Sequence, residues 1–85
     1  MQKYTYTIKD EEGLHARPAG LLVKCAQKCS SKVTIECKGH SADAKRLFAV
    51  MGLGAGKNDQ LAFSIEGPKE DTDCATLKDF CTAHL

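Results

Sequence analysis

The 85 residues, 42% hydrophobic and 27% charged, fit one globular domain over 1–85 rather than a disordered or multi-domain chain. Lys and Arg exceed Asp and Glu by one, for a net charge of +1, so the general basic footprint of a nucleic-acid binder is missing. Met1-Gln2-Lys3 leads into a strand-like pattern with no leader-like apolar segment, and the longest uncharged stretch, Leu47 to Gly56, is about half of a membrane span; both features point to a cytoplasmic chain without membrane insertion.

Along the chain, Tyr4, Tyr6 and Ile8 alternate with Thr5 and Thr7, which predicts a half-buried strand over Lys3 to Ile8. Asp10-Glu11-Glu12-Gly13 breaks it. From Ala16 to Cys29, Leu21, Leu22, Cys25, Ala26 and Cys29 recur at helical spacing, and Pro18 suits the first turn, where no intrahelical N–H is needed. Ser30-Ser31 ends this helix. Val33, Ile35 and Cys37 alternate as a second strand, and Lys38-Gly39 turns the chain into a short third one over His40 to Asp43.

Leu47, Phe48, Val50 and Met51 suggest one or two helical turns, punctuated by Gly52, Gly54 and Gly56. Leu61, Phe63 and Ile65 alternate as a fourth strand, stopped by Gly67-Pro68. Asp71 and Asp73 favour a helix start, since acidic groups meet the positive end of the helix dipole. Cys74, Leu77, Cys81 and Leu85 give that helix its apolar stripe. The order β-α-β-β-α-β-α, with three amphipathic helices and four alternating strands, predicts an α+β open-faced sandwich. In it a four-stranded antiparallel sheet is covered on one face by three helices.

The chemistry-bearing segment is Gly13-Leu14-His15-Ala16-Arg17-Pro18-Ala19. His15 stands directly ahead of a helix whose first N–H groups have no backbone partner and attract anions. Arg17 offers a guanidinium fork that matches phosphate oxygens. Neutral imidazole is a nucleophile, and the helix's positive end is expected to lower the His15 pKa and favour that form near neutrality. Taken singly, His15 reads equally as a solvated cap, Arg17 as a surface charge and Pro18 as a helix starter. Their adjacency is what those separate readings leave unexplained.

Gly-Leu-His-Ala-Arg-Pro-Ala followed by a helix resembles the active-site signature of HPr, the histidine-containing phosphocarrier family of the bacterial phosphoenolpyruvate-dependent sugar phosphotransferase system. The resemblance extends over nearly the whole chain and includes the glycine-bounded segment Lys45 to Gly54. It implies that His15 accepts a phosphoryl group through Nδ1 from phosphorylated enzyme I and passes it to a histidine of a sugar-specific IIA domain. It also implies that Arg17 balances the charge and that the N–H groups of Ala16 and Arg17 complete the phosphate pocket. No cofactor or metal is implied.

The same resemblance places Leu47, Phe48 and Met51 on a docking face, with Gly20 beside it and Arg17, Lys24 and Arg46 supplying positive charge. Read from spacing alone, those apolar residues fit a core equally well. A monomer that docks its partners transiently is expected, and transcriptional regulators extend the partner set. The alternative is a regulatory binding module gated by His15 phosphorylation.

Two departures from the family stand out. Many relatives carry a serine at position 46 that a regulatory kinase phosphorylates, whereas Arg46 accepts no such group. Many also place a small polar residue at position 12, where Glu12 either repels a phosphoryl group on His15, making it easier to transfer, or points to solvent. His40 and His84 have no motif around them and read as surface residues. The five cysteines, an odd number without a C-x-x-C pair, read as reduced core thiols; a redox or metal role rests on their number alone.

Overall fold

In a computed structural model that describes all 85 residues, the chain forms seven elements. They are β1 (Gln2–Thr7), α1 (Ala16–Lys28), β2 (Lys32–Cys37), β3 (His40–Asp43), α2 (Leu47–Met51), β4 (Gln60–Glu66) and α3 (Glu70–His84). The strands make one antiparallel sheet in the order β1-β4-β2-β3. The element order, the antiparallel sheet and the three helices are those expected from the sequence.

Period-two alternation decides which face is covered. Val33, Ile35 and Cys37 on β2 and Leu61, Phe63 and Ile65 on β4 are all buried, as is Ala42 on β3. Register brings them into rows: Val33 lies opposite Ile65, Ile35 opposite Phe63 and Tyr4 opposite Phe63, with the Tyr4 and Phe63 rings 6.1 Å apart. Burying each such aliphatic or aromatic side chain contributes about 1.5–3 kcal/mol before the entropy of ordering is subtracted. The intervening Thr5, Thr34, Glu36, Ser41 and Ser64 line a polar depression on the uncovered face. Lys38 and Gly39 both take positive φ, the backbone that a two-residue β2–β3 hairpin turn requires.

The helical stripe of α1 is shifted from its expected position. Pro18, Ala19, Leu22, Val23 and Ala26 are buried, with Cys29 just beyond the helix; Cys25 is half-buried and Leu21 is 39% exposed. Two stripes overlap on this helix, one through residues 22, 25, 26 and 29 and one through 19, 22, 23 and 26. The small Ala19 and Ala26 let the second approach the rest of the core closely, so Val23 turns inward and Leu21 faces out.

In α3, Leu77, Cys81 and Leu85 are buried as the stripe predicts, and Cys74 is half-buried. The helix opens with Glu70, Asp71 and Asp73 in its first turn. Asp73 departs from a simple dipole role. It is buried, and its Oδ2 accepts from both the N–H (2.9 Å) and the hydroxyl of Ser31, fastening the α1–β2 connection to α3. At the same end of α1, Lys45 Nζ donates to the Cys29 carbonyl (3.0 Å) and Gln27 donates to the Lys45 carbonyl (3.0 Å), which holds the segment entering α2 beside α1.

Candidate functional site

The segment that leads into α1 is fixed by backbone bonds. Gly13 N–H donates to the Asp10 carbonyl (3.0 Å), and Leu14 N–H donates to the Ala55 carbonyl (2.8 Å). Gly13 sits at φ +68°, and a Cβ there would lie 2.5 Å from the Ala55 oxygen and from Gly56 Cα. Only glycine permits both that backbone and that approach. Leu14 is buried, anchoring the turn in the core. Lys9 and Asp10 N–H groups donate to the Leu85 oxygen (2.8 and 3.0 Å), so the end of α3 also braces this loop.

His15 follows as the N-cap of α1, in extended conformation, with no side-chain capping bond. Its carbonyl accepts from Ala19 N–H (2.9 Å), while the N–H groups of Ala16 and Arg17 point out of the first turn without a hydrogen-bond partner. The imidazole is 39% exposed. His15 and Arg17 line one open cleft of about 320 Å³ together with Asp10, Pro18, Leu21 and His84. The arrangement joins an accessible imidazole, two free amides and a guanidinium, a set suited to an anionic group held at the ring.

Glu12 points toward the ring rather than away from it. Its side chain is 74% exposed, yet Oε2 lies 3.6 Å from His15 Nε2. Asp10, Leu21 and His84 are the cleft residues that the sequence reading missed as site components. His84 is exposed, as expected of a surface residue, but its ring packs on Phe80 with centroids 4.6 Å apart and borders the cleft. No local signal marks it, because α3 reaches the cleft only through the tertiary contact of Leu85 with residues 9 and 10. Leu21 was legible as apolar, but its direction was not.

The proposed docking residues lie on the surface. Phe48 is 85% exposed, and Leu47 and Met51 are also exposed; of the five apolar side chains of α2, only Val50 is buried. The core alternative for Leu47, Phe48 and Met51 is therefore not the arrangement adopted. Arg46 is the N-cap of α2 and exposed, and its side chain makes no capping bond. Arg17, Gly20, Leu21 and Lys24 follow one another at helical spacing on the outer side of α1, with Gly20 half-buried and the others exposed. His40 is exposed on β3, away from these residues in sequence and without a site partner.

The thiols are all free. Burial pushes the Cys29 thiol up to about 11 and the Cys81 thiol up to about 12; it also raises Cys25 and Cys37. Thiolate is the reactive form, so these shifts favour inert core packing over redox chemistry.

Comparison with known proteins gives this geometry a family. The family model described as "PTS HPr component phosphorylation site" matches residues 2–83. A histidine-containing phosphocarrier protein from Mycoplasma is 30% identical, superimposes with a TM-score of 0.92, and is matched over 99% of this chain and 98% of that one. HPr-C-His from Thermoanaerobacter tengcongensis is 34% identical, also at a TM-score of 0.92, over 99% and 94% of the two chains. The Bacillus subtilis catabolite repression protein Crh, seen as a domain-swapped dimer, is 25% identical with a TM-score of 0.76 over 100% and 98%. An α+β open-faced sandwich of this element order is the fold seen in small phosphocarrier proteins. The chain belongs to the HPr family of such proteins.

Proposed function

We propose that His15 accepts a phosphoryl group through Nδ1 from phosphorylated enzyme I and delivers it to a histidine of a sugar-specific IIA domain, in the cytoplasm. The observation that carries this reading is the exposed His15 imidazole at the N-cap of α1, sharing a cleft with Arg17 beside the unpartnered amides of Ala16 and Arg17. Those amides and the guanidinium supply positive potential where the phosphoryl oxygens arrive, and phosphoryl transfer needs little from a protein beyond such positioning and charge. A carrier must also let go, and an open cleft with a single arginine holds its cargo loosely enough for onward transfer.

Docking is assigned to Leu47, Phe48 and Met51, with Gly20 at the margin and Arg17, Lys24 and Arg46 attracting acidic partners. Phe48 presents nearly its whole ring to solvent, the disposition of an interface anchor awaiting a partner pocket. Neither cofactor, metal nor nucleic acid has a part in this scheme, and a monomer serves it.

The test is incubation with enzyme I and phosphoenolpyruvate. Acid-labile, base-stable phosphate should appear at one group per chain and should vanish in His15→Ala. A His15→Ala chain that still takes up one phosphate overturns the assignment.

The similarity to Crh favours a second reading, a regulatory module whose docking to other proteins, transcriptional regulators among them, is gated by His15 phosphorylation. Partner binding measured with and without the phosphoryl group separates the two. A carrier exchanges the group with its partners, whereas a gated regulator binds in one state and returns nothing. In either case Arg46 removes the regulatory phosphoserine carried by many relatives at that position.

A further inference from the structure

We infer that Glu12 positions the His15 imidazole, holding its proton on Nε2 and leaving the Nδ1 lone pair free. This rests on the phosphocarrier reading of His15. The carboxylate is delivered to the ring by a rigid turn. Asp10 Oδ1 accepts the Glu12 N–H at 2.9 Å, the Asp10 carbonyl accepts the Gly13 N–H at 3.0 Å, and the Ala55 carbonyl accepts the Leu14 N–H at 2.8 Å. With three such bonds in succession, the backbone of residue 12 is set relative to the first turn of α1. From there Glu12 Oε2 comes within 3.6 Å of Nε2.

At 3.6 Å the pair is longer than a hydrogen bond, so the carboxylate acts on the ring through its charge, and its negative potential favours N–H over a lone pair on the nitrogen that faces it. In a neutral imidazole the other nitrogen then carries the lone pair, as in other carboxylate–imidazole pairs where an acidic group selects the tautomer. That other nitrogen, Nδ1, adjoins Cγ and is the ring nitrogen nearer the main chain. It is also the nitrogen that the phosphocarrier reading assigns to the phosphoryl group.

The transfer balances without a proton shift on His15. The Nδ1 lone pair forms the new P–N bond while the P–N bond of the donor's phosphorylated imidazole breaks, and that bond's electron pair returns to the donor nitrogen. The Nε2 proton stays where Glu12 holds it. The phosphorylated ring is left with positive charge on its Nε2 side, next to the carboxylate, whereas the phosphoryl oxygens lie across the ring. Attraction at Nε2 thus opposes the longer-range repulsion expected from the sequence. The attraction acts at the shorter range, so the net effect of Glu12 favours acceptance.

Two readouts on Glu12→Gln and Glu12→Asp test this, with Glu36→Gln on the uncovered sheet face as a control for loss of one negative charge. In nitrogen-15 NMR of the unphosphorylated protein, the wild type should hold His15 in the Nε2–H tautomer. Glu12→Gln should shift the balance toward Nδ1–H, and Glu12→Asp should restore part of it. Phosphoryl uptake from enzyme I should fall about two- to fivefold in Glu12→Gln, the scale of an exposed ion pair, and stay unchanged in Glu36→Gln. An unaltered tautomer balance in Glu12→Gln overturns the inference whatever the rate does. An altered balance with unaltered uptake overturns the role in transfer. Because the tautomer readout needs no donor, a wild type that never takes up phosphate defeats the phosphocarrier reading separately.

Discussion

Arg17 shows how much of the candidate site is carried by single side chains. It occupies the second position of α1, so its own N–H is one of the amides left free by the helix geometry, and its guanidinium lines the cleft beside His15. Main chain and side chain thus serve the same anion from one residue. Arg17→Ala removes only the side-chain half. The expected loss in transfer rate is about 10- to 100-fold, less than the 10²–10³ typical of a fully enclosed oxyanion donor, because this cleft is open. The side chain is exposed, so stability should change by no more than about 0.5 kcal/mol. Stopped-flow or quench kinetics beside a thermal melt would check both. Unchanged kinetics would take Arg17 out of the chemistry.

At the scale of elements, periodicity carried the fold. Alternation at 33-35-37 and 61-63-65 located two strands and their inner faces, and local turn chemistry at Lys38-Gly39 located the hairpin. The Gly-Leu-His-Ala-Arg-Pro motif placed His15 at a helix start because capping geometry is a local property. What escaped were features set by tertiary contact. Whether Leu21 or Val23 turns inward depends on what docks against α1, and the Ser31–Asp73 pair joins residues far apart in the chain.

Helix α1 also holds a glycine that local structure does not require. Gly20 lies inside the helix, and a Cβ there would meet nothing within 4 Å. Gly20→Ala should therefore stabilise the protein by about 0.5–1 kcal/mol, raising Tm by about 2–8 °C for a domain of this size. A lower Tm would show that the site is tighter than its geometry indicates. Kinetics with a partner protein add a second readout: slower transfer by the more stable variant places Gly20 in the docking contact, and unaltered transfer removes it from that face.

The whole molecule is closed by links between distant parts of the chain, and among those that titrate are those of Asp73 and Asp59. The Ser31 hydroxyl, helped by the Ser31 N–H, holds the Asp73 carboxyl below its ordinary 3.8 against the opposing effect of burial. Lys38, together with the Gly56 N–H, lowers Asp59 in the same direction. A carboxyl whose folded pKa lies below its unfolded value stabilises the fold fully above the unfolded value, near 3.9, and loses that contribution as pH falls through the folded one. Stability from these groups should thus be level from about pH 5 upward and decline below about pH 4.

Asp73→Asn isolates one of them, since the amide keeps an acceptor for Ser31 but neither charges nor titrates. At pH 7 the variant should be less stable by about 1 kcal/mol, the difference between a charged and a neutral acceptor. Denaturant titrations repeated down the pH scale should show that deficit shrinking below about pH 4, as the wild-type carboxyl takes up its proton and the two proteins become alike. A deficit that stays constant from pH 7 to pH 2 would mean that Asp73 holds α3 to the α1–β2 connection through shape alone, with its charge contributing nothing.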